Sequence, residues 1–312
     1  MQGFESEEHE RSIWQALKAQ AVPLKFAYAG SAAHTHNRLA SRSSYQSVAT
    51  AIDAEIRATL KLLDPNVTGL SICEVGPGNG THTVAFLRTL YQAGTSVLNY
   101  LGLDFSRELL SILERQLAQD EPRLPVHVDT WDFEAEPTTA IDSWRSSSKP
   151  VLILMIGHTI GNPYSPLACL KNIFLSSRPG DGLVLSAMLR GTQPVADLVK
   201  PYLDSVFIAA ALEPLRMGGL NISEGSFHVR WEESTSAIIG EFVLSNDQRI
   251  SYREETIVFS AGSIIRCFLS RRFQQNDIAT LLSDAGWLIK DNCLSHDESH
   301  LAVAAFRPKP PV

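Results

Sequence analysis

Three glycines at alternate positions, Gly76, Gly78 and Gly80, follow the apolar run Leu70 to Val75, in which Glu74 is the one acidic residue. Glycine has no Cβ, so such a loop tolerates positive φ and lets a ligand lie against the peptide planes. A strand that turns into a helix through this loop offers a floor for a nucleotide-like ligand. A triphosphate loop requires GxxxxGK[ST], and no lysine follows here. A dinucleotide fingerprint requires a glycine where Thr81 stands, which weakens that reading without removing it.

A neutral loop with carboxylates nearby suits a ligand that bears a sulfonium and no phosphates, S-adenosylmethionine. Asp104 ends the next apolar run, where it can accept from two ribose hydroxyls. The alternative is that it caps the helix beginning near Ser106. After the third run, Asp132 can accept from an exocyclic amine and Phe133 can cover a ring face, which suits adenine. The alternative is an aspartate-initiated turn with a core phenylalanine. After the fourth run, the loop Gly157-His158-Thr159-Ile160-Gly161-Asn162 is expected to face the reactive methyl, with Gly157 on the cofactor side. Asn162 offers a polar substrate both donor and acceptor. His158, Tyr28 and Tyr45 are the candidate bases for an amine's proton, although a lone loop histidine is more often structural.

These residues need a scaffold. From Gly69 to Leu189, short apolar runs (70–75, 100–104, 124–128, 151–156 and 182–189) alternate with helical stretches, the pattern of a parallel sheet covered on both faces. A helix over Gln275 to Asp284 and the runs 287–289 and 301–306 then close the sheet with an antiparallel edge pair. Ahead of the sheet, Val48, Ile52, Ile56, Leu60 and Leu63 give Tyr45 to Leu63 a helical stripe, and Leu24 to Ser43 has no clear period and reads as a cap. Between Arg190 and Ser270, a helical piece over 195–215 precedes five β-like runs, expected to form a meander on a small subdomain. The Pro-rich tail after Phe306 is expected to fray.

The formal charge of −7 and the lack of a basic run speak against a nucleic-acid partner. Cys73, Cys169, Cys267 and Cys293 are dispersed in sequence, which suggests buried thiols rather than a disulfide frame or a metal site. No apolar run approaches a membrane span, and an acidic start without an apolar leader fits the cytoplasm. A monomer or homodimer acting on a small molecule is the expectation.

With Glu74 to Thr81, Asp104, Trp131-Asp132-Phe133 and Thr159-Ile160-Gly161-Asn162 in place, the chain resembles the L-histidine Nα-methyltransferases of ergothioneine biosynthesis and the related dimethylallyltryptophan N-methyltransferases. Thr159 to Asn162 matches the family's fourth-strand loop without a gap, and Ser270-Arg271-Arg272-Phe273 followed by Ala285-Gly286-Trp287 is similar to its ending. The resemblance implies an α/β fold: a Rossmann-like class I methyltransferase sheet of seven strands, the last pair antiparallel, with a second, smaller α+β substrate domain. It implies a helical cap over 1–65 that joins the substrate domain, a cofactor core over 66–190, an inserted substrate-binding part over 191–270 and a return to the sheet over 271–312. It further implies that Asn162 and Tyr202 hold the acceptor's polar groups, that Tyr28 stands on the cofactor side and that Tyr45 stands on the substrate side.

One departure bears on the acceptor. Alignment on Ser270 and Phe273 puts Phe268 where the histidine enzymes carry the glutamate that grips the imidazole. A phenyl ring accepts no hydrogen bond and favours an apolar or aromatic group by about 1 to 3 kcal/mol. The expected acceptor is therefore an indole-like amino acid or derivative of secondary metabolism, with a carbon or oxygen nucleophile left open. A nicotinamide oxidoreductase and an inactive cofactor-binding relative are the readings of other classes.

Overall fold

The computed structural model describes residues 3–40, 50–63, 69–146 and 149–310. The chain folds as two compact units, each assembled from separate stretches: Ser43–Gly191 with Arg272–Val312, and Met1–Arg42 with Thr192–Arg271. Among the described residues, no helix is long and apolar enough to cross a membrane.

The first of these units is built on strands β1 (Leu70–Val75), β2 (Val97–Asp104), β3 (Val126–Thr130), β4 (Leu152–Met155), β5 (Gly182–Met188), β11 (Leu288–Leu294) and β12 (His300–Phe306). Their order is β11-β12-β5-β4-β1-β2-β3. The pairs from β5 to β3 are parallel; β12 runs antiparallel to both β5 and β11. The order reverses between β1 and β4, which opens a crevice at their carboxyl ends. Alternation along the strands splits the core into two layers. Cys73, Val75, Leu103, Ile153, Met155 and Leu185 point to one, and Ile72, Tyr100, Leu154 and Val184 to the other. Full burial of each such aliphatic side chain contributes about 1.5–3 kcal/mol.

Helices α4 (Thr81–Gln92), α5 (Arg107–Asp120), α6 (Ala140–Trp144), α7 (Pro166–Ser176) and α10 (Gln275–Asp284) cover the sheet. Local chemistry sets their starts. Ser106 and Ser165 cap α5 and α7 by accepting from the amides of Leu109 and Ala168, and Pro166 pre-sets the first turn of α7. Helix α3 (Ile52–Leu62) also packs here: Ala54, Ile56 and Ala58 share a core cluster with Ile72, Leu154 and Ala304. The division therefore falls at residue 42, not at the expected 65. The face of α3 is also rotated from the expected stripe, since Leu60 is 40% exposed while Glu55 and Thr59 are buried. The tail is pinned as far as Arg307, whose guanidinium donates to the carbonyls of Phe174 and Ser177 and lies 4.4 Å over the Phe174 ring.

The other unit holds α1 (Glu7–Lys18), α2 (Ser31–Ala40), α8 (Val195–Val199), α9 (Ser205–Met217) and strands β6 (Gly225–Glu232), β7 (Ala237–Leu244), β8 (Gln248–Tyr252), β9 (Glu255–Phe259) and β10 (Ile264–Arg271). Leu24 to Ala40, expected to lack periodicity, contains a 3₁₀ turn at Leu24–Tyr28 and then α2, both packed on α9. The single helix expected over 195–215 is broken. Pro201 sits in a 3₁₀ turn, Lys200–Leu203, and the Asp204 carboxylate caps α9 by accepting from Val206 and Phe207. The expected meander is interrupted as well. The sheet order is β10-β7-β6, and β8 and β9 form a separate hairpin. The ladder leaves at Leu244 and resumes at Ser263, whose carbonyl accepts from the Leu244 amide at 3.0 Å.

Candidate cofactor site

The three glycines do different work. Gly76, Gly78 and Gly80 all have positive φ, of 72°, 59° and 84°. A Cβ on Gly76 would stand 2.6 Å from the Thr159 methyl, and one on Gly80 would stand 2.5 Å from Leu113, so these two permit close packing. A Cβ on Gly78 would meet nothing within 4 Å. Only at Gly78 does the bare backbone face open space, the feature a ligand lying on the loop requires. Gly80 leads into α4, whose first residue, Thr81, is exposed and gives its amide to the Asn79 side chain at 3.1 Å.

Asp104 bridges this loop to the next. One carboxylate oxygen accepts from the Gly78 amide at 3.0 Å and the other from the Ser106 amide at 2.9 Å. The helix cap itself is Ser106, so the capping alternative does not exhaust Asp104. A carboxylate is the acceptor type that a pair of ribose hydroxyls requires. Asp132 closes a turn by accepting from the Glu134 amide at 3.2 Å, and Phe133 is half-buried and meets Trp131 edge-on at 6.0 Å.

Glu74 is enclosed beneath the loop. Its carboxyl is 2% exposed and accepts from the Tyr100 hydroxyl at 2.8 Å, so it supports the loop from within rather than lining it. Burial, partly offset by that hydrogen bond, pushes it up to about 7.

The fourth-strand loop is braced against the glycine loop. The Thr159 hydroxyl reaches the carbonyls of Gly76 and Ile156 at 3.3 and 3.1 Å. Gly157 and His158 both take left-handed φ, 71° and 79°, a sharp reversal that sends the chain into the 3₁₀ turn Thr159–Gly161 and leaves Asn162 at its end. Asn162 is half-buried, and its side-chain amide makes no hydrogen bond among the described residues. His158 is otherwise engaged. The Met188 amide donates to Nδ1 at 3.0 Å, and the Arg272 guanidinium stands 3.0 Å from Nε2. A neutral ring that accepts from Met188 at Nδ1 carries its own proton on Nε2, beside Arg272, so it is poorly placed to take another, and a buckle between β5, the loop and Arg272 describes it better than a base.

Sequence reasoning missed a buried polar cluster behind these loops. Glu55 of α3 is wholly buried; its carboxylate meets the Ser186 hydroxyl at 2.5 Å, the Gly157 amide at 3.2 Å and His82 Nε2 at 2.7 Å. Burial alone would raise the Glu55 carboxyl, but the His82 charge and the three hydrogen bonds outweigh it and hold the group below its ordinary value. His82 moves the other way: Glu55 and Glu74 overcome its burial and raise it. The available signal was an acidic residue next to Ile56 on the apolar side of a helix.

Of the expected substrate residues, Tyr202, Phe268 and Ser270 meet in the second unit. The Tyr202 hydroxyl donates to Ser270 Oγ at 2.8 Å, and its ring stacks on Phe268 at 5.3 Å and 17°. Phe207 and Phe227 flank the same phenyl ring at 5.0 and 6.3 Å. Phe268 is 1% exposed, so it stands behind Tyr202 rather than presenting an open face. Tyr28 ends a 3₁₀ turn in this unit, half-buried. Tyr45 lies outside the described residues.

No curated protein matches the chain. Among solved structures, an S-adenosylmethionine-dependent methyltransferase from Clostridium acetobutylicum is 11% identical, with 84% of this chain and 92% of that one covered and a TM-score of 0.49. Magnesium protoporphyrin IX methyltransferase from Synechocystis is 14% identical, with 90% and 96% covered and a TM-score of 0.46. Likeness at that level bears no functional weight. The family model described as "Histidine-specific methyltransferase, SAM-dependent" matches residues 46–308, and this chain, with its glycine floor and its seven-stranded sheet, belongs to that family of S-adenosylmethionine-dependent methyltransferases.

Proposed function

We propose that this methyltransferase acts on a small aromatic amine, an indole-like amino acid or derivative, in preference to histidine. The observation that carries the reading is the stack of Phe268 on Tyr202, with Phe207 and Phe227 around it, at the position where the family resemblance calls for a carboxylate. A carboxylate can hold an imidazole N–H; a phenyl ring cannot, and an apolar setting disfavours a polar ring that finds no partner.

When bound, S-adenosylmethionine would supply an electrophilic methyl group on its sulfonium, open to in-line attack by the acceptor's lone pair with S-adenosylhomocysteine as the leaving group. The chain's own residues then have three tasks. Gly76, Gly78, Gly80 and Thr81 form the floor, Asp104 receives the ribose hydroxyls, and Asp132, Phe133 and Gly157 surround the adenine end and the methyl approach, with Glu74 supporting from below. The open space over Gly78 supports this fit, as does the place of the Asp104 carboxylate at the Gly78 amide. Asn162 is assigned to hold the acceptor's amine, and its uncommitted amide supports the role. Tyr202, fixed by Ser270, orients the acceptor's polar groups. Positioning of this kind supplies much of the acceleration in a displacement that needs no nucleophilic side chain. The amine's proton is assigned to solvent or Tyr28, since the acceptor nitrogen of His158, Nδ1, already receives the Met188 amide.

Competition between histidine, tryptophan and indole amines for labelled S-adenosylmethionine, read by product mass, tests the proposal. Methylation of an aromatic amine ahead of histidine is expected; preference for histidine would overturn it.

A further inference from the structure

Glu55 lies outside every motif, on α3, and reaches three separate elements. One carboxylate oxygen accepts from Ser186 on β5 and from the Gly157 amide after β4. The other meets His82 in the first turn of α4, directly after the glycine loop. The Gly157 amide is shared with Ser186 Oγ at 2.9 Å, so the start of the fourth-strand loop is held from two sides. That hold falls on the first of two consecutive left-handed residues, and the second, His158, is not a glycine, in a region that only a few per cent of other residues occupy. A buried carboxylate costs more to desolvate than an apolar side chain of the same volume, so packing alone does not account for it.

We propose that Glu55 is a positioning residue: through a single carboxylate it ties the start of α4, and with it the glycine floor, to the loop that carries Asn162. The two loops on either side of the reversal between β1 and β4 are thereby held in one relation, and Thr159 on Gly76 is the second tie between them. The proposal rests on the assignment of both loops to the cofactor end but not on the acceptor's identity.

The test uses the full chain, without an acceptor. E55Q keeps the shape and part of the hydrogen bonding but removes the charge opposite His82. The expected result is a folded protein whose affinity for S-adenosylhomocysteine, measured by calorimetry, falls by about tenfold. The amide resonances of Gly76 and Gly78 and those of Gly157 and Asn162 are expected to shift together in the free protein. D181N is the control, because Asp181 is an equally buried carboxylate paired with Arg145 away from both loops. It should lower the melting temperature and leave the affinity within twofold. A folded E55Q with unchanged affinity, or with Gly157 and Asn162 resonances unmoved, refutes the tie. If E55Q does not fold, H82Q is measured by the same two readouts and the same criteria decide. Failure of the aromatic-acceptor reading leaves both readouts untouched, so the two failures are distinguishable.

Discussion

At the scale of single residues, the glycine loop separates packing from binding. Gly78→Ala places a methyl into open space at a left-handed φ, so it should cost only about 1–2 kcal/mol of stability. It should also weaken S-adenosylhomocysteine binding, because the methyl stands where the ligand approaches. Gly80→Ala drives its Cβ toward Leu113 and should cost more stability than Gly78→Ala. Urea midpoints and calorimetry on the two variants check this ordering. Asn162→Ala should reverse the pattern, with cofactor affinity unchanged and kcat/KM for the acceptor reduced.

Glu74 gives a pH signature. Its carboxyl is raised from the usual carboxylate range to about 7, so the folded state keeps a proton that the unfolded state gives up from about pH 4.5. Stability is therefore lost as pH rises from 4.5 through 7, by roughly 3 kcal/mol at most. Glu74→Gln should abolish that part of the loss, leaving the wild type progressively less stable than the variant as pH rises; urea midpoints from pH 4.5 to 8 measure it. Of the residue roles, the loop glycines were legible because a motif states a backbone requirement. Glu55 and His82 were not, because their meeting depends on how α3 is rotated, and a stripe of periodic apolar residues does not fix that rotation.

At the scale of elements, β10 carries the substrate argument. Tyr202→Phe removes the hydroxyl that Ser270 accepts from, and should raise the acceptor KM while cofactor affinity holds. Phe268→Ala removes a ring flanked by three others and should cost about 3–5 kcal/mol, read as a lower urea midpoint. The interior strands of the large sheet were legible because burial on both faces makes them short continuous apolar runs. The β8–β9 hairpin was not, since its residues have the same alternation as their neighbours and only the ladder from Leu244 to Ser263 shows which strands pair. The helix over 195–215 carried its own warning in Pro201.

At the scale of the whole molecule, the cofactor residues with motifs lie in one unit and the aromatic set in the other. Hydrogen exchange with and without S-adenosylhomocysteine should therefore show protection gained at 76–81, 104–106, 130–133 and 156–162, and little change along 225–271. The interruption of the large sheet has a further consequence, for synthesis. β12 sits between β5 and β11, and His300 pairs with Met188 more than a hundred residues earlier in the chain. While the intervening residues leave the ribosome, β5 waits with one edge bare, and Leu183, Leu185 and Ala187 lie along it. An exposed apolar edge of this kind is a template for pairing with other chains. A nascent chain that stalls before residue 300 is thus expected to be a chaperone client rather than a shorter enzyme.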